Sequence, residues 1–304
     1  MDDGSVSWHE SVLVEEVLSF LGPAPGKLFV DATVGTGGHS EALLSRGAHV
    51  IGVDQDPEAL GIGRERLRAY GDRVRLIHGN FRDLPALLAP LSLPQVDGIL
   101  FDLGVSSLQF DQPERGFSFQ AQGPLDMRMD PGSPTTAHDL VNRLSEAELA
   151  RVLWDYGEER HARRIARAIE RARPIHTTSE LARIVARASD APSRRYRIHP
   201  ATRTFQALRI AVNDELSALV AGLPAALALL SLGGVLCVIS FHSLEDRIAK
   251  QFLRRVGLAG QVEVLTKKPL GPGDDEIARN PRARSAKLRA GRVREVAPDW
   301  ATCP

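Results

Sequence analysis

Residues 28–46 constrain the fold of this chain more than any other segment. A short apolar run ends at Asp31, a glycine-rich turn follows, and the residues from Ser40 onward are typical of the start of a helix. Glycines let the backbone adopt positive φ and approach a ligand closely, and N–H groups at a helix start attract polar groups. A plain structural turn needs the same residue type, so this turn alone does not establish a binding loop. The glycines are Gly35, Gly37 and Gly38.

A second strand-like run supports the interpretation as a binding loop. Residues 47–54 end at Asp54, about 20 residues after the loop, where the acid that binds ribose lies in dinucleotide and nucleoside sites. The two segments together predict a cofactor that contains adenosine.

Asp31 distinguishes between classes of cofactor. A dehydrogenase binds a pyrophosphate at this turn, and a carboxylate would repel it, whereas the ammonium and sulfonium of S-adenosylmethionine complement a carboxylate. Ser40 also replaces the third glycine of the dinucleotide fingerprint. The segment resembles the first motif of class I methyltransferases, an acid followed by three alternating glycines, although Thr33 replaces the first of these glycines.

Strands and helices alternate along the first hundred or so residues, as in a parallel α/β sheet. Because ligands bind beyond the carboxyl ends of the strands in open sheets, we expect Asp31, Asp54, Phe81 and Asp102 to line one crevice. His9 is interpreted as a helix-start residue rather than a catalytic one. The further predicted elements are helices at 9–21 and 57–70 and strands at 74–78 and 96–102.

The alternation stops between residues 103 and 210. Residues 103–131 are rich in glycine and proline but also carry phenylalanine and methionine, so we expect an ordered functional loop rather than disorder. Three helices are predicted to follow, and the third extends to Leu219. Their predicted starts are a capping box of Ser145 with Glu148, a second box of Thr177 with Glu180, and Pro200 in a first turn.

The α/β pattern resumes with a fifth strand at 235–240 and a closing antiparallel hairpin of 262–268 with 285–293. We predict an α/β fold, a doubly wound Rossmann-like class I methyltransferase sheet with an inserted helical domain between strands four and five. The predicted domains are 1–110 with 211–304 for S-adenosylmethionine binding, and 111–210 for an inserted loop and helical RNA-binding domain.

Composition narrows the function classes. The chain of 304 residues is 43% hydrophobic and has no apolar run of 18 residues, so we expect a cytoplasmic protein without a membrane span. Cys237 and Cys303 form no metal spacing and no disulfide framework. The net charge is zero, but residues 143–209 hold 15 arginines against 8 acids, and residues 279–294 hold 7 basic residues and no acid.

Six strings identify a family that the chain resembles, the bacterial small-subunit ribosomal RNA (cytosine-N4)-methyltransferases. The resemblance extends from His9 to about Arg294, and strings this long are far more specific than a glycine-rich turn. The strings are DLGVSS at 102–107, ERGFSF at 114–119, PLDMRMD at 124–130, HPATRTFQ at 199–206, SFHSLEDR at 240–247 and NPRARS at 280–285.

The resemblance implies an activity and a set of cofactor contacts. It implies methyl transfer from S-adenosylmethionine to the exocyclic amine of a decoding-region cytidine in 16S rRNA, within the small ribosomal subunit or a late precursor. The implied cofactor contacts are Gly37, Gly38, His39, Asp54, Phe81, Asp102 and Gln109.

The target amine is a poor nucleophile because its lone pair is delocalised into the cytosine ring. Catalysis therefore requires placement of the nitrogen and an acceptor for its N–H groups, either Asp102 or a carbonyl near Leu103. Many amino-group methyltransferases carry Asp/Asn-Pro-Pro-aromatic here, whereas this chain has DLGV, so the stacking aromatic must come from elsewhere. Phe110, Phe117 and Phe241 are all candidates. C5 methylation would need a cysteine nucleophile, and neither cysteine has a suitable motif.

Two groups of charged residues have alternative interpretations. His242, Glu245 and Asp246 could bind a metal, but Ser243 with Asp246 also forms a helix N-cap pair, which we favour, and we predict no metal. A stripe of four arginines is interpreted as an RNA contact; the alternative is a solvated helix face paired with acids at positions 158 and 159. The stripe consists of Arg160, Arg164, Arg167 and Arg171.

Three other functions are alternatives to an rRNA methyltransferase. Asp31 and Ser40 argue against a dehydrogenase, and the absence of the Pro-Pro-aromatic motif argues against a DNA amino-methyltransferase. The predicted cofactor crevice argues against a protein that binds RNA without catalysis.

Overall fold

The computed structural model describes residues 11–93, 95–189 and 199–295. The chain divides into two compact units, residues 1–104 with 216–304, and residues 105–215. These divisions lie a few residues from the predicted boundaries at 110/111 and 210/211, so that residues 105–110 and 211–215 belong to the second unit and not to the sheet.

The first unit contains a seven-stranded sheet. Its strands are β1 (Leu28–Asp31), β2 (His49–Asp54), β3 (Val74–His78), β4 (Val96–Asp102), β5 (Leu230–Ser240), β6 (Val262–Val264) and β7 (Lys287–Val293). Their order is β3-β2-β1-β4-β5-β7-β6, in which β1 to β5 are parallel and β7 is antiparallel to both of its neighbours. The sheet is that of the predicted class I methyltransferase fold.

Thirteen α-helices lie in the described residues. Helices α5 to α10 belong to the second unit, and the others belong to or adjoin the first. The helices are α1 (Val14–Leu21), α2 (Gly38–Ser45), α3 (Pro57–Leu67), α4 (Leu84–Leu88), α5 (Ser107–Asp111), α6 (Ala137–Arg143), α7 (Glu146–Gly157), α8 (Ala162–Ala172), α9 (Thr178–Ala188), α10 (Ala201–Asn213), α11 (Glu215–Leu229), α12 (Ser243–Leu258) and α13 (Asp274–Arg279).

Apolar layers cover both faces of the sheet. Side chains alternate between the two faces of a strand, so Val30 lies in one apolar cluster with residues of α11 and α12, and Phe29 lies in another with residues of α1 and α2. In β4, Ile99 lies in the same cluster as Val30, and Leu100 lies in the same cluster as Phe29. Burial of the strands on both faces explains their nearly continuous apolar sequence.

The second unit has its own apolar core, which is built from α6 to α10 and the loop at 117–129. The capping box of Ser145 with Glu148 begins α7, and that of Thr177 with Glu180 begins α9, as the sequence predicted. Pro200 is the residue before α10.

The structure corrects several predicted boundaries. The third helix of the insertion, expected to reach Leu219, is two helices, because Asp214 adopts φ 48° and ends α10. β5 begins at Leu230 rather than at Val235, and its register against β4 shifts between these residues. The predicted hairpin strands do pair, but α13 lies between them in the chain. His9 lies outside the described residues.

Among the described residues, no single helix has the length and apolar character to cross a membrane. One bent pair, α10 with α11, meets that test by length and composition.

Candidate functional site

Four neighbouring parallel strands end at the same edge of the sheet. Asp31 lies opposite Gly52 of β2 and Leu100 of β4, so Asp54 and Asp102 extend two residues beyond it. Phe81 follows the end of β3. The structure therefore brings the predicted residues of the first unit to one edge, as expected for ligand binding beyond the carboxyl ends of strands.

The glycine-rich turn joins β1 to α2 and is tied to β2. Gly35 has φ 51° and donates its N–H to Oδ2 of Asp54 at 2.7 Å. Gly37 has φ 89° and lies directly before α2, where L side chains are strained. A Cβ on Gly38 would lie 2.0 Å from the hydroxyl oxygen of Ser11. Glycine at these positions therefore lets the turn pack closely against neighbouring side chains at the start of α2.

Asp54 accepts a hydrogen bond from the backbone of the turn and can accept further ones from a ligand. Its Oδ1 accepts from the backbone N–H of Asp56 at 2.9 Å, and its Oδ2 accepts from Gly35. Burial raises the pKa of Asp54 to about 6, although these two hydrogen bonds act to lower it. Each carboxylate oxygen has a second lone pair, so Asp54 can also accept from ribose hydroxyls.

Asp31 is 1% exposed and lies inside the turn. It accepts from the hydroxyl of Ser40 at 2.8 Å and from the backbone N–H of Thr33 at 3.3 Å. Burial raises the pKa of Asp31. The expectation that Asp31 lines the crevice is therefore corrected, because its carboxylate is enclosed and supports the turn.

His39 and Asp102 form a contact beside this turn. The His39 Nε2 atom lies 3.4 Å from Oδ2 of Asp102, and the side chains are 5% and 24% exposed. Within the described residues, neither ring nitrogen of His39 nor Oδ1 of Asp102 makes a hydrogen bond. Burial lowers the pKa of His39, but the carboxylates of Asp102 and Asp31 raise it, and the net shift is upward. Buried polar atoms without partners at a strand edge indicate a ligand site.

Thr33 fixes the backbone at the end of β4. Its Oγ1 accepts from the N–H of Asp102 at 2.6 Å. Sequence reasoning missed this role, because it treated Thr33 only as a departure from the glycine motif.

Phe81 and Gln109 lie in different units. Phe81 packs edge-on against Phe101 with ring centroids 5.3 Å apart, and a Cβ on Gly222 would lie 2.8 Å from its ring. Gln109 lies in the second unit, where its Oε1 accepts from the N–H of Ser106 in a capping box at the start of α5. The sequence did not predict this local role of Gln109.

The three aromatic candidates for base stacking have different surroundings. Phe117 is buried in the core of the second unit, and Phe110 packs against that core. Phe241 follows β5 in the first unit, and a Cβ on Gly104 would lie 3.6 Å from its ring. Gly104 is two residues beyond Asp102 and has φ 97°. Phe241 is thus the candidate beside the end of β4.

The start of α12 is capped by residues other than those predicted. His242 is the N-cap, and Glu245 completes the capping box, in place of Ser243 with Asp246. The Oε2 atom of Glu245 accepts from the N–H of Phe241 at 2.9 Å. Asp246 instead accepts from Arg289 of β7, with Nε and Oδ1 2.6 Å apart.

Cys237 is not suited to nucleophilic catalysis. It lies fully buried in β5, and burial raises the pKa of its thiol far above the ordinary value. Cys303 lies outside the described residues.

The arginine stripe belongs to the second unit and is only partly as predicted. Arg167 pairs with Glu146 of α7 at 3.1 Å, and Arg164 donates to the carbonyl of Ala188. Glu159, one of the expected acidic partners, is buried and accepts from the backbone N–H of His161. Arg160 and Arg171 are exposed.

A protein family and several named proteins match this chain in sequence over most of its length. A family model described as the MraW methylase family matches residues 6–294. The chain belongs to this family. A relative from Sorangium cellulosum named Ribosomal RNA small subunit methyltransferase H is 55% identical over 288 residues, which cover 93% of this chain and 90% of that protein. A protein of the same name from Geobacter sulfurreducens is 51% identical over 303 residues, which cover 93% and 97%.

Among solved structures, an rRNA methylase from Streptococcus thermophilus aligns with a TM-score of 0.46 and 12% identity, covering 95% of this chain and 100% of that one.

As a member of the MraW methylase family, the protein is an S-adenosylmethionine-dependent methyltransferase. The strand ends fit that cofactor. Asp102 offers a carboxylate to a cation, Asp54 offers acceptors to hydroxyls, and Gly37 and Gly38 lie at the start of α2, where backbone N–H groups attract polar groups. His39 and Asp102 have buried polar atoms without hydrogen bonds to described residues, and polar groups of a ligand at this edge would satisfy them.

Proposed function

We propose that this methylase modifies the exocyclic N4 amine of a decoding-region cytidine in 16S rRNA. Two lines of support are its relatives of about 50% identity, which are named for the small ribosomal subunit RNA, and the six family strings of the sequence. The observation that carries the proposal is Asp102, whose carboxylate lies at the end of β4 and is 24% exposed, with Oδ2 3.4 Å from Nε2 of His39.

Asp102 is the proposed acceptor for the amine. S-adenosylmethionine supplies an electrophilic methyl group on its sulfonium. The substrate nitrogen must lie in line with the S–CH₃ bond, and positive charge develops on that nitrogen as the new bond forms. A carboxylate that already accepts the amine N–H stabilises this charge without reorganisation. The carbonyl of Leu103 is the alternative acceptor.

Phe241 is the proposed stacking residue for the target base. It lies beside Gly104, which closely follows Asp102. An aromatic face there would hold the cytosine ring so that its amine meets the carboxylate. Phe110 and Phe117 are instead used in the core of the second unit.

The proposed cofactor residues follow from their positions. The backbone at Gly37 and Gly38 would approach the methionine part, Asp54 would accept from ribose hydroxyls, and Phe81 would pack against adenine. His39 and Asp102 would face the charged groups. A contact from Gln109 remains a prediction from the family resemblance.

The second unit is the proposed RNA-binding part, with 16S rRNA in the small subunit or a late precursor as partner. Residues 143–209 have seven more basic than acidic residues. Arginines on exposed helix faces bind RNA phosphates.

Nucleoside mapping tests the proposed reaction. In 16S rRNA from a deletion strain, mass spectrometry should show the loss of one N4-methylated cytidine. The wild-type chain should restore it, and Asp102→Asn should restore much less. Unaltered 16S rRNA methylation in the deletion strain would overturn the proposal.

A further inference from the structure

A histidine is buried between two of the carboxylates that end the central strands. His39 lies in the first turn of α2, and its ring is 5% exposed. Its Nε2 lies 3.4 Å from Asp102, and neither nitrogen hydrogen-bonds to a described residue. A polar ring buried in this way is unfavourable as mere filling, because an apolar side chain of the same size would pack there without losing hydrogen bonds.

The charges that face the ring are acidic. Asp31 of β1, Asp102 of β4 and Glu276 of α13 all act on His39 and raise its pKa, against the lowering effect of burial. Glu276 is itself held in place, since its Oε1 accepts from the N–H of Leu13 at 2.7 Å. The surroundings therefore favour the imidazolium form of His39.

The cation on the neighbouring helix is already engaged. Arg66 of α3 pairs with Glu41 of α2 at 2.8 Å. Glu41 therefore offsets the charge of Arg66.

Different residues contact the backbone and the side chain of Asp102. Its backbone N–H is fixed by the Thr33 hydroxyl, whereas its side chain meets the ring of His39. We infer that His39 is a positioning residue, whose ring holds the Asp102 carboxylate in its orientation at the end of β4. This inference rests on the proposed role of Asp102 as the acceptor for the amine.

Nuclear magnetic resonance of the full chain without cofactor tests the charge of His39. The ring should titrate above the ordinary histidine value of about 6.5, and Asp102→Asn should lower its midpoint. His49, an exposed histidine at the start of β2, is the internal control, and its ring resonances should be the same in both proteins. The inference would be overturned by a His39 ring that stays neutral from about pH 6 to pH 8, or by one whose titration midpoint does not change in Asp102→Asn.

Single-turnover methylation tests the consequence for Asp102. At saturating cofactor, His39→Gln should lower the rate on the order of tenfold and remove the loss of rate that the wild type shows as the pH rises and the His39 ring deprotonates. The reason is that a neutral ring, like glutamine, does not attract the Asp102 carboxylate by charge. His49→Gln is the matched control and should leave the rate and the profile unchanged.

The readouts separate a positioning role from a packing role and from the proposed function. A packing role would lower the unfolding midpoint of His39→Gln but leave the profile in place, which would contradict the inference. The resonance experiment uses no RNA, so a wrong target nucleotide would leave its result standing. A neutral His39 ring, in turn, would leave the nucleoside mapping unchanged.

Discussion

Thr33 and Ser40 stand where glycine-rich turns of this kind carry glycine, and each makes a side-chain hydrogen bond that glycine could not make. Thr33 accepts from the backbone of Asp102, and Ser40 donates to the buried Asp31. The two departures from the motif therefore join the turn to the end of β4 and to the acid inside it.

Removal of the Thr33 hydroxyl should destabilise the protein. Thr33→Val keeps the shape but leaves the N–H of Asp102 without its acceptor, so the free energy of unfolding should fall by about 1–3 kcal/mol. Urea unfolding measures this change. Thr33→Ser keeps the oxygen and is the matched control, and equal stability of the two variants would contradict the assignment.

Loss of the Asp102 charge should affect the rate more than binding. Asp102→Asn keeps the shape but removes the charge that stabilises the developing aminium, so kcat should fall by about 10²-fold or more in a folded protein. Single-turnover methylation at saturating cofactor measures it, and cofactor affinity should fall less. A rate close to wild type would transfer the acceptor role to the Leu103 carbonyl.

The raised pKa of Asp54 predicts a pH dependence of cofactor binding. The ionised carboxylate is the better acceptor for ribose hydroxyls, so affinity should be full above a pH of about 6 and should fall as the pH decreases through that value. Calorimetric titration with S-adenosylhomocysteine from about pH 5 to pH 8 measures it. Asp54→Asn should bind more weakly and without this dependence, and a flat wild-type profile would argue against the ribose contact.

The raised pKa of Asp54 makes protein stability depend on pH in the opposite direction to cofactor binding. Because the pKa of Asp54 in the folded protein lies above the ordinary aspartate value of 3.8, the folded protein binds the proton more tightly than the unfolded chain. The contribution of Asp54 to stability is therefore present below the unfolded value and is lost as the pH rises through about 6.

At the scale of elements, local signals predicted most of the fold. The bounds of β3 and β4 and the capping boxes of α7 and α9 match the prediction, because apolar runs and caps are encoded by neighbouring residues. The break at Asp214 was missed because apolar periodicity continues across it. The early start of β5 was missed because Leu230 pairs with Val96, which is far away in sequence.

The site was predicted less completely than the strands. Acids at strand ends follow from the pattern of a parallel sheet, and the structure brings them to one edge. The contact of His39 with Asp102 joins two segments that are separated in the chain by β2 and β3, so no local sequence pattern indicates it. The N-cap of α12 was placed one residue late, because His242 was considered as a metal ligand rather than as a capping acceptor.

Arginines in helix α8 and just before it offer an internal comparison for RNA binding. Replacing Arg160 and Arg171, which are exposed, by Gln should weaken RNA binding and reduce the salt slope by about 1 per lost phosphate contact. Arg167→Gln is the matched control, since Arg167 pairs with Glu146. Salt-dependent binding measurements distinguish them, and an unchanged slope in the double variant would support a solvated face.

At the scale of the whole molecule, each unit has its own apolar core. Leu153 is fully buried in the second unit and Leu100 in the first. Leu153→Ala should cost about 2–5 kcal/mol, and hydrogen exchange should quicken mainly in residues 105–215. Leu100→Ala should reverse this distribution, and equal loss of protection in both units by both variants would show that they unfold together.

The position of β4 in the sheet affects how the chain folds while it is being synthesised. β4 lies between β1 and β5, yet β5 begins at Leu230, after the whole second unit. A ribosome therefore releases residues 105–215, whose helices can form from local contacts, while one edge of β4 is still unpaired. Ile99, Leu100 and Phe101 are fully buried only in the finished sheet. Nascent chains that stall within the second unit thus carry an open apolar strand edge, which makes them targets for chaperones and prone to aggregation.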